Sequence, residues 1–111
     1  MADLPEDGVH LIAAERRRQV SEEGWMPEHD DEHTGFELTK AAESYAWLTR
    51  TPAPVPSAVP APFMWPWAAS WWKPSDDPVR NLVRVGALIA AEIDRLQRAD
   101  AAGSAPQEQT P

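Results

Sequence analysis

Asp77-Pro78-Val79-Arg80-Asn81-Leu82-Val83-Arg84-Val85-Gly86-Ala87-Leu88-Ile89-Ala90-Ala91-Glu92-Ile93-Asp94-Arg95-Leu96 is the stretch that settles the fold class. Asp77 stands where a helix cap belongs, and Pro78 suits the first helical position because its missing N–H would have no intrahelical partner anyway. Val79, Leu82, Val83, Gly86, Ile89, Ala90, Ile93 and Leu96 recur at spacings of three and four, which predicts one apolar stripe on a helix over 78–99. Leu82, Val83, Ile89 and Ile93 are the expected core residues of that helix.

Two further helices are predicted upstream. Residues 7–21 place Val9, Ile12, Ala13, Arg16 and Val20 on one face, with Asp7 as N-cap and Gly24 as a natural stop. Thr34-Gly35-Phe36-Glu37 matches a capping box and opens a second helix over 35–49, whose apolar set is Phe36, Leu38, Ala41, Ala42, Tyr45 and Leu48. Between that helix and the one at 78 lies a Pro-rich stretch that no helix survives. Its first part, Thr51–Pro62, reads as an exposed polyproline-like loop. Its second part, Phe63-Met64-Trp65-Pro66-Trp67 and Trp71-Trp72-Lys73-Pro74, carries too much aromatic surface to be left in water. The expected architecture is mainly α: one small domain of three helices over residues 7–99, with the Pro/Trp-rich irregular segment packed across them. Residues 1–6 are expected to be flexible and residues 100–111 disordered.

Composition narrows the function. The chain has 111 residues and a net charge of −8, which argues against a nucleic-acid partner, since that needs a basic face. It has no cysteine, which excludes disulfides and thiolate metal sites. Met1-Ala2-Asp3-Leu4-Pro5-Glu6-Asp7 shows neither a basic n-region nor a long apolar run, so no signal peptide is expected. No stretch approaches the ~20 apolar residues of a membrane span. A cytoplasmic protein without membrane contact is the expectation. A folded part of about 90 residues is marginally stable alone, and a homo-oligomer is a plain way to add buried area.

The stretch richest in chemistry is Glu22-Glu23-Gly24-Trp25-Met26-Pro27-Glu28-His29-Asp30-Asp31-Glu32-His33, a polar loop joining the first two helices. Binding groups concentrate on such loops. His29, Asp30, Asp31 and His33 are of the types that ligate zinc, manganese or iron. The ordinary reading is that they cap the second helix, whose N-terminus favours negative charge. No metal, cofactor or catalytic residue is assigned on this basis. A metal-dependent all-α nucleotide pyrophosphohydrolase would need paired acids on one helix face. Glu37 and Glu43 have Lys40 where a partner acid should stand, and Glu92 and Asp94 are two apart and do not share a face. Lys73, Arg80 and Arg84 lie near Trp72, so phosphate and base contacts could meet there.

Three blocks carry a resemblance. They are Ile12-Ala13-Ala14-Glu15-Arg16-Arg17-Arg18-Gln19, then Glu23-Gly24-Trp25 with Glu28-His29-Asp30-Asp31-Glu32-His33, and then Trp72-Lys73-Pro74 with Arg80-Asn81-Leu82-Val83 and Gly86-Ala87-Leu88-Ile89. Together they resemble small phage and prophage proteins and, more distantly, the RyR domain, the repeat named after ryanodine receptors. The likeness covers roughly residues 9–38 and 71–97; Glu32-His33-Thr34 stands where RyR repeats carry His-Pro and Pro-Tyr dipeptides. The resemblance implies a non-catalytic binder of a small nucleotide-like ligand, one that could sequester a host signalling nucleotide. It places the site at Trp25, Glu28, His29, Asp30, Asp31, His33, Trp72, Lys73 and Arg80. Two alternatives stay open: the pyrophosphohydrolase, and a protein-interaction module that uses the Trp-rich segment.

Overall fold

Asp7 starts the first helix by accepting a hydrogen bond from the His10 N–H at 3.0 Å. Helix α1 then runs from Gly8 to Glu23 and ends at Gly24, whose left-handed backbone (φ 74°) reverses the chain. The computed structural model describes residues 7–50 and 59–104. Pro27 opens a one-turn helix, α2, over Pro27–Asp30. Helix α3 spans Glu37–Leu48 and helix α4 spans Pro78–Ser104. Asp77 caps α4 as its sequence promises, accepting from the Val79 N–H at 3.0 Å. A single 3-10 turn covers Ala69–Trp71, and no strand occurs among the described residues. The fold is therefore mainly helical, as expected, with the Trp-rich segment laid against the helices. No helix among the described residues is long and apolar enough to cross a membrane.

Helices α3 and α4 make the largest contact, and α1 packs on α4 from the other side. Ala41 and Ala42 of α3 cluster with Leu88 and Ala91 of α4, all of them buried. Alanines bring the two backbones close, and Leu38, Tyr45, Leu48 and Trp72 fill the space around them. Gly86 serves α1 in the same way: a Cβ placed there would lie 2.3 Å from Ile12 Cδ1.

The helical phase of α4 differs from the apolar stripe. Val83 is buried, but Leu82 and Ile93 are each 49 % exposed, and Val79, Ile89 and Leu96 are also exposed. The inward face holds small alanines together with Asn81, Glu92 and Arg95, all buried. Each of these polar groups is satisfied. Asn81 exchanges two hydrogen bonds with the Ser75 backbone (2.7 and 2.9 Å), and Arg95 forks onto Glu92 at 2.7 and 3.0 Å. A stripe drawn through large apolar side chains misses a face built from small and paired polar ones.

Other expectations shift for similar reasons. On α1, Val9 is exposed, and the buried residues are Glu15 and Gln19. The capping box does not form. Phe36, at φ 68° and largely exposed, precedes α3 with no side-chain cap, and Glu37 instead accepts from the Gly35 N–H at 2.7 Å. The second helix is consequently two residues shorter at its start than expected. Helix α4 continues through 100–104, where disorder was expected. Residues 1–6, 51–58 and 105–111 lie outside the described residues, so the expectations for the start, most of the Pro-rich loop and the rest of the tail fall there too. Where the loop is described, it packs: Val59 and Ala61 lie against the core, and Val59 O accepts from Trp72 Nε1 at 2.8 Å.

Candidate functional site

The Trp-rich segment returns across one end of α3 and joins a continuous run of rings. Trp72 is buried and stacks on Tyr45 with centroids 4.7 Å apart. Trp65 meets both edge-on at 5.0 and 5.7 Å, and Trp67 meets Trp65 at 5.4 Å. Trp67 then reaches Trp25 at 6.4 Å and His33 at 5.2 Å, and Trp25 stacks on His29 at 6.1 Å. The aromatic surface that sequence alone shows as unplaced thus links the core to α2. Gly24 aims Trp25 into this run, because its left-handed turn lets the Trp25 N–H close back onto Gln19 O at 3.0 Å.

On one side of these rings lies a cleft of about 550 Å³. Its cations are Arg18, Lys73, Arg80 and Arg84, its carboxylates are Glu15 and Glu23, and Trp25, Trp65, Trp67 and Trp71 supply its aromatic wall. Glu15 organises the charge. It is buried, and Arg18 forks onto both its oxygens at 2.9 Å while Arg80 reaches it from α4 at 3.0 Å. Burial alone would push the Glu15 pKa up, but the bonds and charges of Arg18 and Arg80 outweigh that and hold it below the ordinary carboxylate value. Glu23 takes the other end of Arg18 at 2.9 Å. Arg84 lies over the Tyr45 ring, 5.5 Å from its centroid, and donates to Lys73 O. Its pKa is lowered, chiefly by burial.

A second hollow of about 280 Å³ adjoins the first along Trp25, Trp67 and Trp71, which line both. His29, Asp30 and His33 line it from α2 and the turn after it. Asp30 is 1 % exposed, and neither of its carboxylate oxygens has a hydrogen-bond partner. Its nearest charges are Arg16 Nη2 and His29 Nδ1, each at 3.7 Å. Desolvation pushes the Asp30 pKa up, and Arg16 only partly counters it. His33 Nε2 is likewise buried without a hydrogen-bond partner.

The nine residues named from sequence fall into distinct groups. Trp25, Lys73 and Arg80 line the larger cleft, and Trp25, His29, Asp30 and His33 line the smaller hollow. Trp72 lines neither, because it serves the core beneath them. Glu28 is exposed on α2 and also lines neither. Asp31 faces away and pairs with Arg98 of α4 at 2.8 Å, which pins α2 to that helix. Of the polar loop Glu22–His33, Glu23 and Trp25 line the larger cleft, together with Glu15, Tyr45 and Leu88 from the helices. Glu15, Arg18 and Gln19 were readable as a polar face, since spacings of three and four put them on one side of α1. Tyr45 gave no such signal, as its apolar spacing marks it only as core.

Among the described residues, no three His, Asp or Glu side chains gather closely enough to hold a metal ion. Three of the four acids considered for metal-dependent hydrolysis are engaged elsewhere. Glu92 pairs with Arg95, Asp94 lies 3.7 Å from Arg16, and Glu37 holds the Gly35 N–H. No protein-family model, curated protein or solved structure matches the chain significantly.

Proposed function

We propose that this protein binds a small nucleotide-like ligand, a planar ring carrying an anionic group, without transforming it. The observation that carries this reading is the co-location of four cations and four indoles in one cleft of a chain whose net charge is −8. Cations concentrated against that background are matched to an anion. Arg18 and Arg80, held in place by Glu15 and Glu23, keep further N–H groups of the kind that grip phosphate oxygens. The neighbouring indoles offer faces on which a base can stack, worth ~1–3 kcal/mol per base. A volume of about 550 Å³ lies within the range of small-molecule sites. The engagement of Glu37, Glu92 and Asp94 in other contacts favours binding over metal-assisted hydrolysis. The resemblance to small phage proteins supports sequestration of a host signalling nucleotide as the biological use.

Indole fluorescence and calorimetry, read against a panel of mono-, di- and cyclic nucleotides, test this. The expected result is a quench with at least one nucleotide, and an affinity that falls as salt rises and as Arg80 or Trp25 is replaced by alanine. If no nucleotide perturbs either signal, the reading is wrong.

A further inference from the structure

Asp30 is a buried carboxylate whose two oxygens have no hydrogen-bond partner, with Arg16 Nη2 and His29 Nδ1 standing off at 3.7 Å. A buried acceptor left without a donor costs free energy, so such a group calls for a missing partner. The hollow it lines is walled by Trp25, Trp67 and Trp71 and also holds the unpartnered Nε2 of His33. Asp30 and His33 are one turn apart, with the His33 N–H closing on Asp30 O at 3.0 Å. The hollow therefore has two unpartnered acceptors beside one imidazole nitrogen among its lining residues.

We propose that this hollow is a base-recognition subsite selective for a guanine-type edge. The Asp30 carboxylate accepts from the ring N1–H and the exocyclic amine, His33 in its Nε2–H tautomer donates to the adjacent carbonyl oxygen, and the indoles stack on the ring. The inference rests on the nucleotide-binding reading of the adjoining cleft, where the phosphate would lie against Arg18, Arg80 and Lys73. Adenine fits the subsite poorly, because it presents an acceptor at N1 where Asp30 needs a donor. Hypoxanthine keeps the N1–H and the carbonyl but lacks the amine, so it should rank between the two. Each well-made bidentate pair corresponds to roughly 5- to 150-fold discrimination.

The test is calorimetric titration of the wild type and of Asp30→Asn with GMP, IMP and AMP, with inorganic phosphate and choline as further probes. The wild type should bind GMP most tightly, IMP less and AMP least. An amide at position 30 keeps one acceptor and gains one donor, so Asp30→Asn should collapse the GMP-to-AMP ratio by roughly 5- to 150-fold. His33→Ala, a second variant, should weaken GMP and IMP alike and leave AMP unchanged. Equal affinity for all three nucleotides in the wild type would overturn the base assignment while leaving the cleft reading intact. So would an unchanged ratio in Asp30→Asn, which is the outcome if Asp30 only holds water. Choline bound in preference to every nucleotide would show an aromatic cage for cations and overturn it as well. Failure of every nucleotide to bind would remove the cleft reading, and this inference with it.

Discussion

Arg80 Nη1 lies 3.0 Å from Glu15 Oε1, joining the first turn of α4 to the buried middle of α1. Arg80 is therefore both a wall of the cleft and a clasp between helices. Sequence position alone suggests that its loss would affect ligand binding and spare the fold. With this pairing, Arg80→Ala should also lower stability. Removing one partner of a buried ion pair costs several kcal/mol, but Arg80 is about one-third exposed and Arg18 stays on Glu15. A loss of ~1–2 kcal/mol in urea denaturation is expected. An unchanged midpoint would show that the clasp contributes nothing.

Leu88 and Leu82 lie ~120° apart around α4, and they separate the observed helical phase from the apolar stripe. Leu88 is 3 % exposed within the core cluster, whereas Leu82 is half-exposed. Leu88→Ala should cost ~2–5 kcal/mol, the usual range for a buried leucine. Leu82→Ala should cost less than about 1 kcal/mol. Chemical denaturation of the two variants checks this, and the reverse order would restore the stripe as the core face.

Gly86 tests how closely α1 approaches α4. In a free helix, Gly→Ala gains ~1 kcal/mol of propensity. Here the new methyl would meet Ile12 Cδ1 at 2.3 Å and Cγ1 at 2.7 Å. Overpacking of this kind costs ~1–3 kcal/mol, so Gly86→Ala should be neutral to destabilising despite the propensity. Ile12→Ala in the same chain should recover part of the loss. A Gly86→Ala variant more stable than the wild type would place α1 further from α4.

What the sequence disclosed, and what it hid, follows from how each feature is encoded. The existence of α1 and α4 came through, because Asp7, Gly24, Asp77 and Pro78 act locally and their signals need no tertiary partner, whereas the one-turn α2 lies inside what reads as a polar loop. The apolar set of α3 came through too, apart from the exposed Phe36, since one face of the helix does the burying. The face of α4 did not, because it rests on Ala87, Ala91 and Asn81, whose burial depends on what approaches them. The candidate site was legible as ingredients. Trp25, Lys73 and Arg80 share a cleft and His29, Asp30 and His33 share a hollow, yet nothing local tells Asp30 from Asp31. One is buried at the wall of the hollow it shares with Trp67 and Trp71, and the other reaches outward to Arg98. That difference arises from the ~100° step between neighbouring residues at the end of α2, which only packing turns inward or outward.

Asp30 and Glu15 give the last prediction, because their pKa values move in opposite directions. Glu15 is held below its ordinary 4.5 by Arg18 and Arg80, so its charged form stabilises the fold. That contribution is present above pH 4.5 and is lost as pH falls through the lower folded-state value. Asp30 is pushed above its ordinary 3.8 by burial, so its charged form works against folding at neutral pH. Protonation relieves this penalty as pH falls through the raised value, and the penalty is gone below 3.8. Glu15→Gln should therefore be less stable than the wild type at pH 7, by ~1–3 kcal/mol, with the gap closing in acid. Asp30→Asn should be more stable at pH 7, on the order of 1 kcal/mol, with that gap also closing in acid but from the other side. Urea midpoints for the three proteins between pH 3 and 8 measure both trends. If Asp30→Asn were destabilised at pH 7, its carboxylate would have donors that balance it, and the case for a missing ligand partner in that hollow would fall.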